Sequence, residues 1–261
     1  MTDQDSDHDV YGAETLEKLQ AVWGDGFLSP GGHEAVDAIV NGVDLSGTTV
    51  LDIGSGLGGP SFLLASRNGA AKVVGIEYQG PLVEQACAGA ARVGVSDQVE
   101  FITVKPGPLP FEDSSFDVVF SKDSIVHVED KAALVGEISR VLKPGGQVAL
   151  SDWFGHSAPL SPEAEVWLEK GFKFFMLTVG EMARLFEEAG FQDVRTEDKN
   201  ALYVEQSRQD IAALEGETGK RLSEIVGEDE TQGFIESCKA RAVVAEQGHL
   251  RPGHVWARKP G

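Results

Sequence analysis

The residues best placed to do chemistry lie in the run Val50-Leu51-Asp52-Ile53-Gly54-Ser55-Gly56-Leu57-Gly58-Gly59 and at Glu77. Glycines in such a run let the backbone turn sharply and approach a ligand, and a helix starting there offers unpaired N–H groups. Read as Gly54-x-Gly56-x-x-Gly59 with Glu77 about twenty residues on, the run fits a dinucleotide fingerprint in which the acid grips a ribose. The two acceptor oxygens of Glu77 match a vicinal diol. Asp52 argues for a different ligand, because a carboxylate beside the loop suits an ammonium and disfavours a pyrophosphate. A nicotinamide-dependent oxidoreductase using Gly54, Gly56, Gly59 and Glu77 is one reading; a ligand carrying both a ribose and an ammonium is the other.

The elements that must position these residues are legible as a pattern. From Thr48 the chain alternates β-rich apolar runs with helical stretches: TTVLDIG, PSFLLASRNG, AKVVGIEY, PLVEQACAGAARVG, VEFITV, FDVVFSKDSIVHV, KAALVGEISRVLKPGG, QVALSDWF. Five strands separated by helices predict an α/β fold with a doubly wound, mostly parallel sheet, whose ligands sit beyond the carboxyl ends of the strands. The glycine run then falls at the first strand–helix junction, and Glu77 at the end of the second strand. Residues 1–46 are expected to form an N-terminal helical cover, 47–156 the cofactor-binding core, and 157–261 a helical lid with terminal strands at QDVRTEDK and GHVWARK completing the same domain.

Composition excludes several function classes. In 261 residues, 42 acidic against 22 basic side chains give a formal charge of −20, which repels phosphate backbones and anionic membranes, so no nucleic acid or membrane partner is expected. No apolar run approaches the length of a membrane span. The acidic start MTDQDSDHDV does not read as a secretory signal, and with only Cys87 and Cys238 present the expectation is a cytoplasmic protein without disulfides. His33, His156, His249 and His254 show no ligand spacing with the cysteines, so no metal site is predicted.

From Thr48 to Phe154 the chain resembles the class I S-adenosylmethionine-dependent methyltransferases. LDIGSGLGG resembles that family's first motif, and LPFEDSSFDVVFSKDSIVHV with RVLKPGG resembles its central motifs. The resemblance implies a Rossmann-like core binding S-adenosyl-L-methionine. Gly54, Gly56 and Gly58 would lie along the methionine part with Asp52 close behind, Glu77 on the ribose and Tyr78 beside it. Family members commonly place an Asp near the adenine amino group, where this chain has Lys105 and Pro106. A lysine cannot accept that hydrogen bond: either adenine is held by backbone and stacking groups, the preferred reading, or the loop Lys105 to Pro108 has shifted, or cofactor binding is weak.

A narrower resemblance, carried by DVYG, FLSPGG, SKDSIVHV and GHVWARK, is to the phosphoethanolamine N-methyltransferases and the related sarcosine/dimethylglycine N-methyltransferases. It implies that Tyr11 and His127 form a substrate-side dyad, with Ser29 and Asp123 near cofactor and substrate. The chemistry asks for a neutral amine aimed at the sulfonium methyl; a His can accept the amine proton and a Tyr hydroxyl can hold the nucleophile. A structural histidine capping the next helix is the alternative for His127.

Matching across WLEKGFKFFMLTV puts Phe172 and Phe174 where the phosphobase enzymes carry polar phosphate ligands, while Arg241 keeps a cation and Lys173 could add a second. Trp153, Phe154, Trp167, Phe172, Phe174 and Phe175 could offer faces to a methylated ammonium, although FKFFML also suits a buried lid helix. The reading is an N-methyltransferase of a small molecule, with sarcosine or dimethylglycine as the specific expectation. Phosphoethanolamine or a natural product stands as the alternative acceptor. An oxidoreductase and a catalytically silent cofactor-binding protein remain as other classes, and the sequence leaves oligomeric state open.

Overall fold

Val50 and Leu51 show how the central sheet is covered. Neighbours on β1 (Thr49–Ile53), they point to opposite faces, yet both are fully buried, Leu51 in one apolar cluster and Val50 in another. Burial on both faces is the mark of a sheet sandwiched between helix layers. The structure, a computed structural model, describes residues 12–156, 159–170 and 173–261. α1 (Ala13–Trp23) and α2 (Gly32–Ile39) precede β1, which is followed by α3 (Gly59–Ser66), β2 (Lys72–Glu77), α4 (Gly80–Val93), β3 (Val99–Thr103) and β4 (Phe116–Lys122). A single 3-10 turn, Ile125–His127, leads to α5 (Lys131–Val141) and β5 (Leu142–Phe154). The rest comprises α6 (Pro162–Lys170), α7 (Val179–Glu188), β6 (Gln192–Asp198), α8 (Asn200–Leu214), α9 (Glu217–Val226), α10 (Glu228–Glu246) and β7 (Arg251–Arg258).

The strand order is β3-β2-β1-β4-β5-β7-β6. β1 to β5 are parallel, and β7 runs antiparallel between β5 and β6. This is the doubly wound, mostly parallel sheet that the βαβ pattern predicts. α2, α3 and α4 cover one face through Val36, Ile39, Leu64, Ala86 and Ala90; α5 and α7 cover the other through Val135, Ile138, Met182 and Phe186.

Two boundaries differ from the sequence reading. Pro144-Gly145-Gly146 lies inside the span of β5 and does not separate helix from strand: the register jumps from Phe116↔Leu142 to Val118↔Gln147, and Lys143–Gly146 bulges out with Gly145 at φ 76°. The stretch expected as a lid also divides. α7, started by a capping box in which Thr178 and Glu181 bond each other's backbone N–H, packs on the sheet. The remaining helices, α6 and α8–α10, referred to below as the lid, are held by Leu214, Leu222, Ile235 and Cys238 in one cluster and by Ala164, Val244, Ala245 and Leu250 in another. α1 meets this lid through Trp23 against Phe234, with ring centroids 6.0 Å apart, and Lys18 Nζ at 3.2 Å from Glu230. Cys87 and Cys238 are free thiols.

Candidate active site

Two cavities open at the carboxyl ends of β1, β2, β4 and β5, where a switch of strand order leaves a crevice. The smaller encloses about 100 Å³ and is lined by Gly54–Leu57 from the glycine loop, Glu77 and Tyr78 after β2, Lys122–Ser124 after β4, and residues 26–29 of the cover. The larger encloses about 650 Å³ between cover, core and lid. Leu28, Ser29, Asp123 and His127 line both.

In the smaller cleft, Glu77 is the organising group. Its Oε1 accepts from the N–H groups of Tyr78 (2.8 Å) and Gln79 (3.1 Å), and its Oε2 from that of Gly56 (3.2 Å). Burial pushes this carboxyl above the usual range, and the three backbone donors oppose the shift. Oε2 keeps capacity for one more donor, as a ribose hydroxyl requires. The Ser55 hydroxyl, buried in the same cleft, has no hydrogen-bond partner among the described residues. An orphaned hydroxyl and an acceptor oxygen with a vacant lone pair fit a polar nucleoside-type ligand. The cleft falls below the ~300–1,000 Å³ usual for ligand sites, because loop 26–30 lies across it: a Cβ on Gly56 would come within 3.1 Å of Leu28 Cδ1.

Two residues of the loop act differently from expectation. Asp52 is buried and turned toward α3, where Ser61 Oγ donates to it at 2.6 Å; it does not line the cleft, so any effect on a ligand's ammonium passes through the loop. Burial pushes its carboxyl up to about 7, against the Ser61 bond, and the charge of Glu77 adds to the rise. Gly58, at φ 87° as N-cap of α3, also faces inward: a Cβ there would lie 2.6 Å from Phe101 Cζ and 2.8 Å from Phe62 Cζ. Packing, not ligand approach, requires it. Gly54 does line the cleft, and a Cβ on it would collide with Ser124 Oγ.

Lys122, which no sequence signal singled out, fastens the cover. Buried at the end of β4, its ammonium donates to Ser29 Oγ (2.5 Å), Pro30 O (2.9 Å) and Asp123 Oδ2 (2.6 Å). Asp123 itself sits at φ 54°, a strained conformation for a non-glycine residue, and Ser151 Oγ donates to its other oxygen at 3.3 Å. Beneath it, burial pushes Asp152 up to about 8, the Trp153 N–H (2.7 Å) opposing and the charge of Asp123 adding.

The larger cavity is aromatic with one aimed cation. Trp153, Trp167 and Phe174 form a near-parallel set with centroids 5.6–6.3 Å apart, and the edge of Tyr203 meets Trp153 at 5.8 Å. The Arg241 guanidinium lies between Trp23 and Trp153, 5.5 Å from each ring, and its buried Nε has no hydrogen-bond partner among the described residues. Lys18 also lines the cavity but is paired with Glu230. His127 packs on Phe174, centroids 5.3 Å apart, and its Nδ1 lies 3.2 Å from the Lys173 carbonyl. Burial holds the imidazole below its usual pKa, with the Lys131 charge adding and the carbonyl bond opposing. The helix-capping alternative for His127 fails, since Asp130 caps α5 by accepting from the Ala133 N–H at 2.9 Å.

A family model described as "Methyltransferase domain" matches residues 44–190. The chain belongs to the methyltransferase domain family. Among curated proteins it is 29% identical to phosphoethanolamine N-methyltransferase 3 of Arabidopsis thaliana over 254 residues, 97% of this chain and 51% of that protein. It spans about half the length of the curated relatives it matches. Its fold is similar to that of Haemonchus contortus phosphoethanolamine N-methyltransferase 2, solved with phosphomonomethylethanolamine and S-adenosylhomocysteine (TM-score 0.89, 23% identity, 97% of this chain and 59% of that one). It is also similar to a protein of Galdieria sulphuraria proposed to be a sarcosine dimethylglycine methyltransferase (TM-score 0.79, 19% identity, 95% and 97%).

In this methyltransferase domain the remaining expected residues are placed as follows. Tyr78 is exposed at the rim of the smaller cleft, its hydroxyl accepting from Gln79 Nε2 at 2.8 Å. Lys105 and Pro106 lie exposed on the loop after β3 and line neither cavity; the lysine ammonium is best solvated in water there. Phe154 follows Trp153 on β5 and so faces the opposite side, into the core. Lys173 does not supply a cavity cation: its ammonium sits 4.7 Å over the Phe175 ring, outside the lining. Residues 173–178 form an irregular segment between α6 and α7, and no lid helix. Tyr11 and Phe172 lie outside the described residues. Among the described residues no cluster of three or more His, Cys, Asp or Glu is set to hold a metal, and no helix is long and apolar enough to cross a membrane.

Proposed function

We propose that the chain is an S-adenosylmethionine-dependent N-methyltransferase of a small amine carrying one anionic group. The observation that carries this reading is the Arg241 guanidinium, its Nε unanswered, in an aromatic cavity that shares Asp123 and His127 with the glycine-loop cleft. Gly54, Ser55, Gly56, Glu77 and Tyr78 would hold the cofactor, which supplies an electrophilic methyl on a positively charged sulfur. Membership in the methyltransferase domain family favours this cofactor over a nicotinamide.

The chain's own groups do the rest. Arg241 anchors the anionic end of the acceptor, and the faces of Trp153, Trp167 and Phe174 suit an ammonium by cation–π attraction. His127, held neutral by burial, takes the proton that the amine nitrogen must lose before its lone pair can attack. The side chains of cover, core and lid that line the cavity hold the reactants in line, where most of the rate is gained.

Phosphoethanolamine is the acceptor supported by the relatives' names. A carboxylate amine, sarcosine or dimethylglycine, is favoured by one feature: Arg241 is the single lining cation without an acidic partner among the described residues, and Glu163 and Glu236 share the cavity, which suits a singly charged anion better than a phosphate. Mass spectrometry after incubation with S-adenosylmethionine and a panel of glycine, sarcosine, dimethylglycine, ethanolamine, phosphoethanolamine and phenols decides. Methylation of an anionic amine supports the proposal and names the acceptor. Methylation of phenols alone, or none with cofactor bound, overturns it in favour of O-methylation or a silent binding protein.

A further inference from the structure

Lys131 is an unexpected residue at its position. It is the first residue of α5, where the helix dipole disfavours a cation, yet it is buried, with Asp152 as an electrostatic neighbour that makes no ion pair with it among the described residues. Burying a lysine this way costs free energy, and its ammonium is committed instead to two main-chain carbonyls: Val128 O at 2.7 Å and Phe175 O at 2.5 Å. Phe175 in turn donates its N–H to Val126 O at 2.8 Å. Phe175 is thus fastened through both its main-chain groups to residues 126 and 131, one on each side of His127 in the chain. Two residues before it, the Lys173 carbonyl stands 3.2 Å from His127 Nδ1. A carbonyl only accepts, so Nδ1 must be the protonated nitrogen, and in the neutral ring Nε2 then carries the lone pair.

We propose that Lys131 is a positioning residue for His127: by holding the Phe175 carbonyl it fixes segment 173–175 so that the Lys173 carbonyl keeps the imidazole proton on Nδ1 and leaves Nε2 as the proton-accepting atom. The inference rests on the reading of His127 as the base. It adds a specific task for a lysine that touches neither acceptor nor cofactor cleft. The same contacts fix Phe174, whose ring forms part of the aromatic wall, so one ammonium sets both the tautomer of the base and a face of the acceptor site.

The charged groups around His127 are Lys131 on α5, whose charge acts on the ring; Asp123 after β4, Glu163 on α6, Arg241 and Glu236 on α10 and Lys18 on α1, which line the same cavity; and Asp152 on β5, which acts on Lys131. Lys131→Gln removes the first and, with it, a positive charge that holds the Asp152 carboxyl down; Lys131→Arg keeps both. Nitrogen NMR of protein labelled in the histidine rings, with the His127 signal assigned by its loss in His127→Gln, should show the proton on Nδ1. In Lys131→Gln the signal should move to a mixture of tautomers, and kcat should fall on the order of tenfold, part of the 10²–10⁴ a positioned base supplies. The KM for cofactor should hold. The acid limb of the kcat–pH profile should move to higher pH, because a positive charge that opposes imidazole protonation is gone. Lys131→Arg keeps the charge and the donors, and should retain the Nδ1 tautomer and the wild-type limb.

A proton on Nε2 in the wild-type protein would overturn the proposal, a result that needs no variant to fold. So would an unchanged tautomer and pH limb in Lys131→Gln. If Lys131→Gln does not fold, the wild-type tautomer and Lys131→Arg decide. Normal turnover by His127→Ala would instead remove the base reading, leaving the tautomer result standing by itself.

Discussion

Replacing Asp52 by Asn should stabilise the protein increasingly as the pH rises. The carboxyl is buried beneath the glycine loop and pushed up to about 7 from an ordinary 3.8. In the unfolded chain it loses its proton near pH 4, whereas in the folded protein it keeps it up to about pH 7. A folded-state value raised in this way gives stability that is complete below the unfolded pKa and is lost as pH climbs through the folded one. Each pH unit in that window costs about 1.4 kcal/mol, so roughly three units amount to about 4 kcal/mol at pH 8. Asparagine preserves the contact with α3, since its Oδ1 can accept from Ser61 as the carboxylate does at 2.6 Å. Its amide hydrogens, if left unbonded, return about 1–3 kcal/mol. That cost does not depend on pH, so the slope is the cleaner quantity. Urea denaturation followed by tryptophan fluorescence should show the advantage of the variant growing by about 3 kcal/mol between pH 4.5 and pH 8. An advantage that stays constant across that range would refute the reasoning, because it would mean that Asp52 is ionised in the folded protein.

Other perturbations address the ligand sites and the loop. Glu77→Ala removes the acceptor of three backbone N–H groups and, on the proposed function, of the ribose; S-adenosylhomocysteine affinity by calorimetry should fall by about tenfold or more, and an unchanged affinity would exclude that role. Arg241→Met should raise the KM for an anionic amine by about 10–100-fold, the equivalent of one charge-assisted hydrogen bond, while leaving the KM of a neutral amine near its starting value. An equal rise for both would show that Arg241 supports the cavity wall and does not grip the anion. Gly58→Ala places a methyl against Phe101 and Phe62 at a left-handed φ and should cost about 3 kcal/mol of stability, read by thermal denaturation. An unshifted melting curve would contradict the packing role.

What could be read in the sequence was what lies close together along the chain. The βαβ alternation, the glycine turn and Glu77 are local signals, and the sheet places them where the alternation implies. The direction of a side chain is a different matter. Asp52 and Gly58 sit in the motif, yet one turns to α3 and the other to Phe62 and Phe101, because strand alternation and helix packing decide which way each faces. Contacts between distant segments were equally hidden. Nothing local joins Arg241 to Trp23, or Lys122 to Ser29. The Lys173 carbonyl left no trace, since every residue carries one; the side chain, which sequence matching weighed as a cation, turned out to matter less than the main chain behind it.

The placement of β7 has a consequence for how this protein is made. β7 fills the gap between β5 and β6, pairing with β5 from Gln147 to Phe154 and with β6 along its other edge. On a ribosome the chain emerges from its N-terminus, so β5 is complete at Phe154 and must wait until Arg251 for its neighbour. At typical elongation rates of about 5–20 residues per second, that exposes an apolar strand edge for roughly 5–20 s. During that interval the nascent protein presents an unpaired template of the kind that other chains can join. Slower translation, or a truncation that removes residues 251–258, should therefore shift the product from folded protein toward aggregate even though no residue of the two cavities is touched.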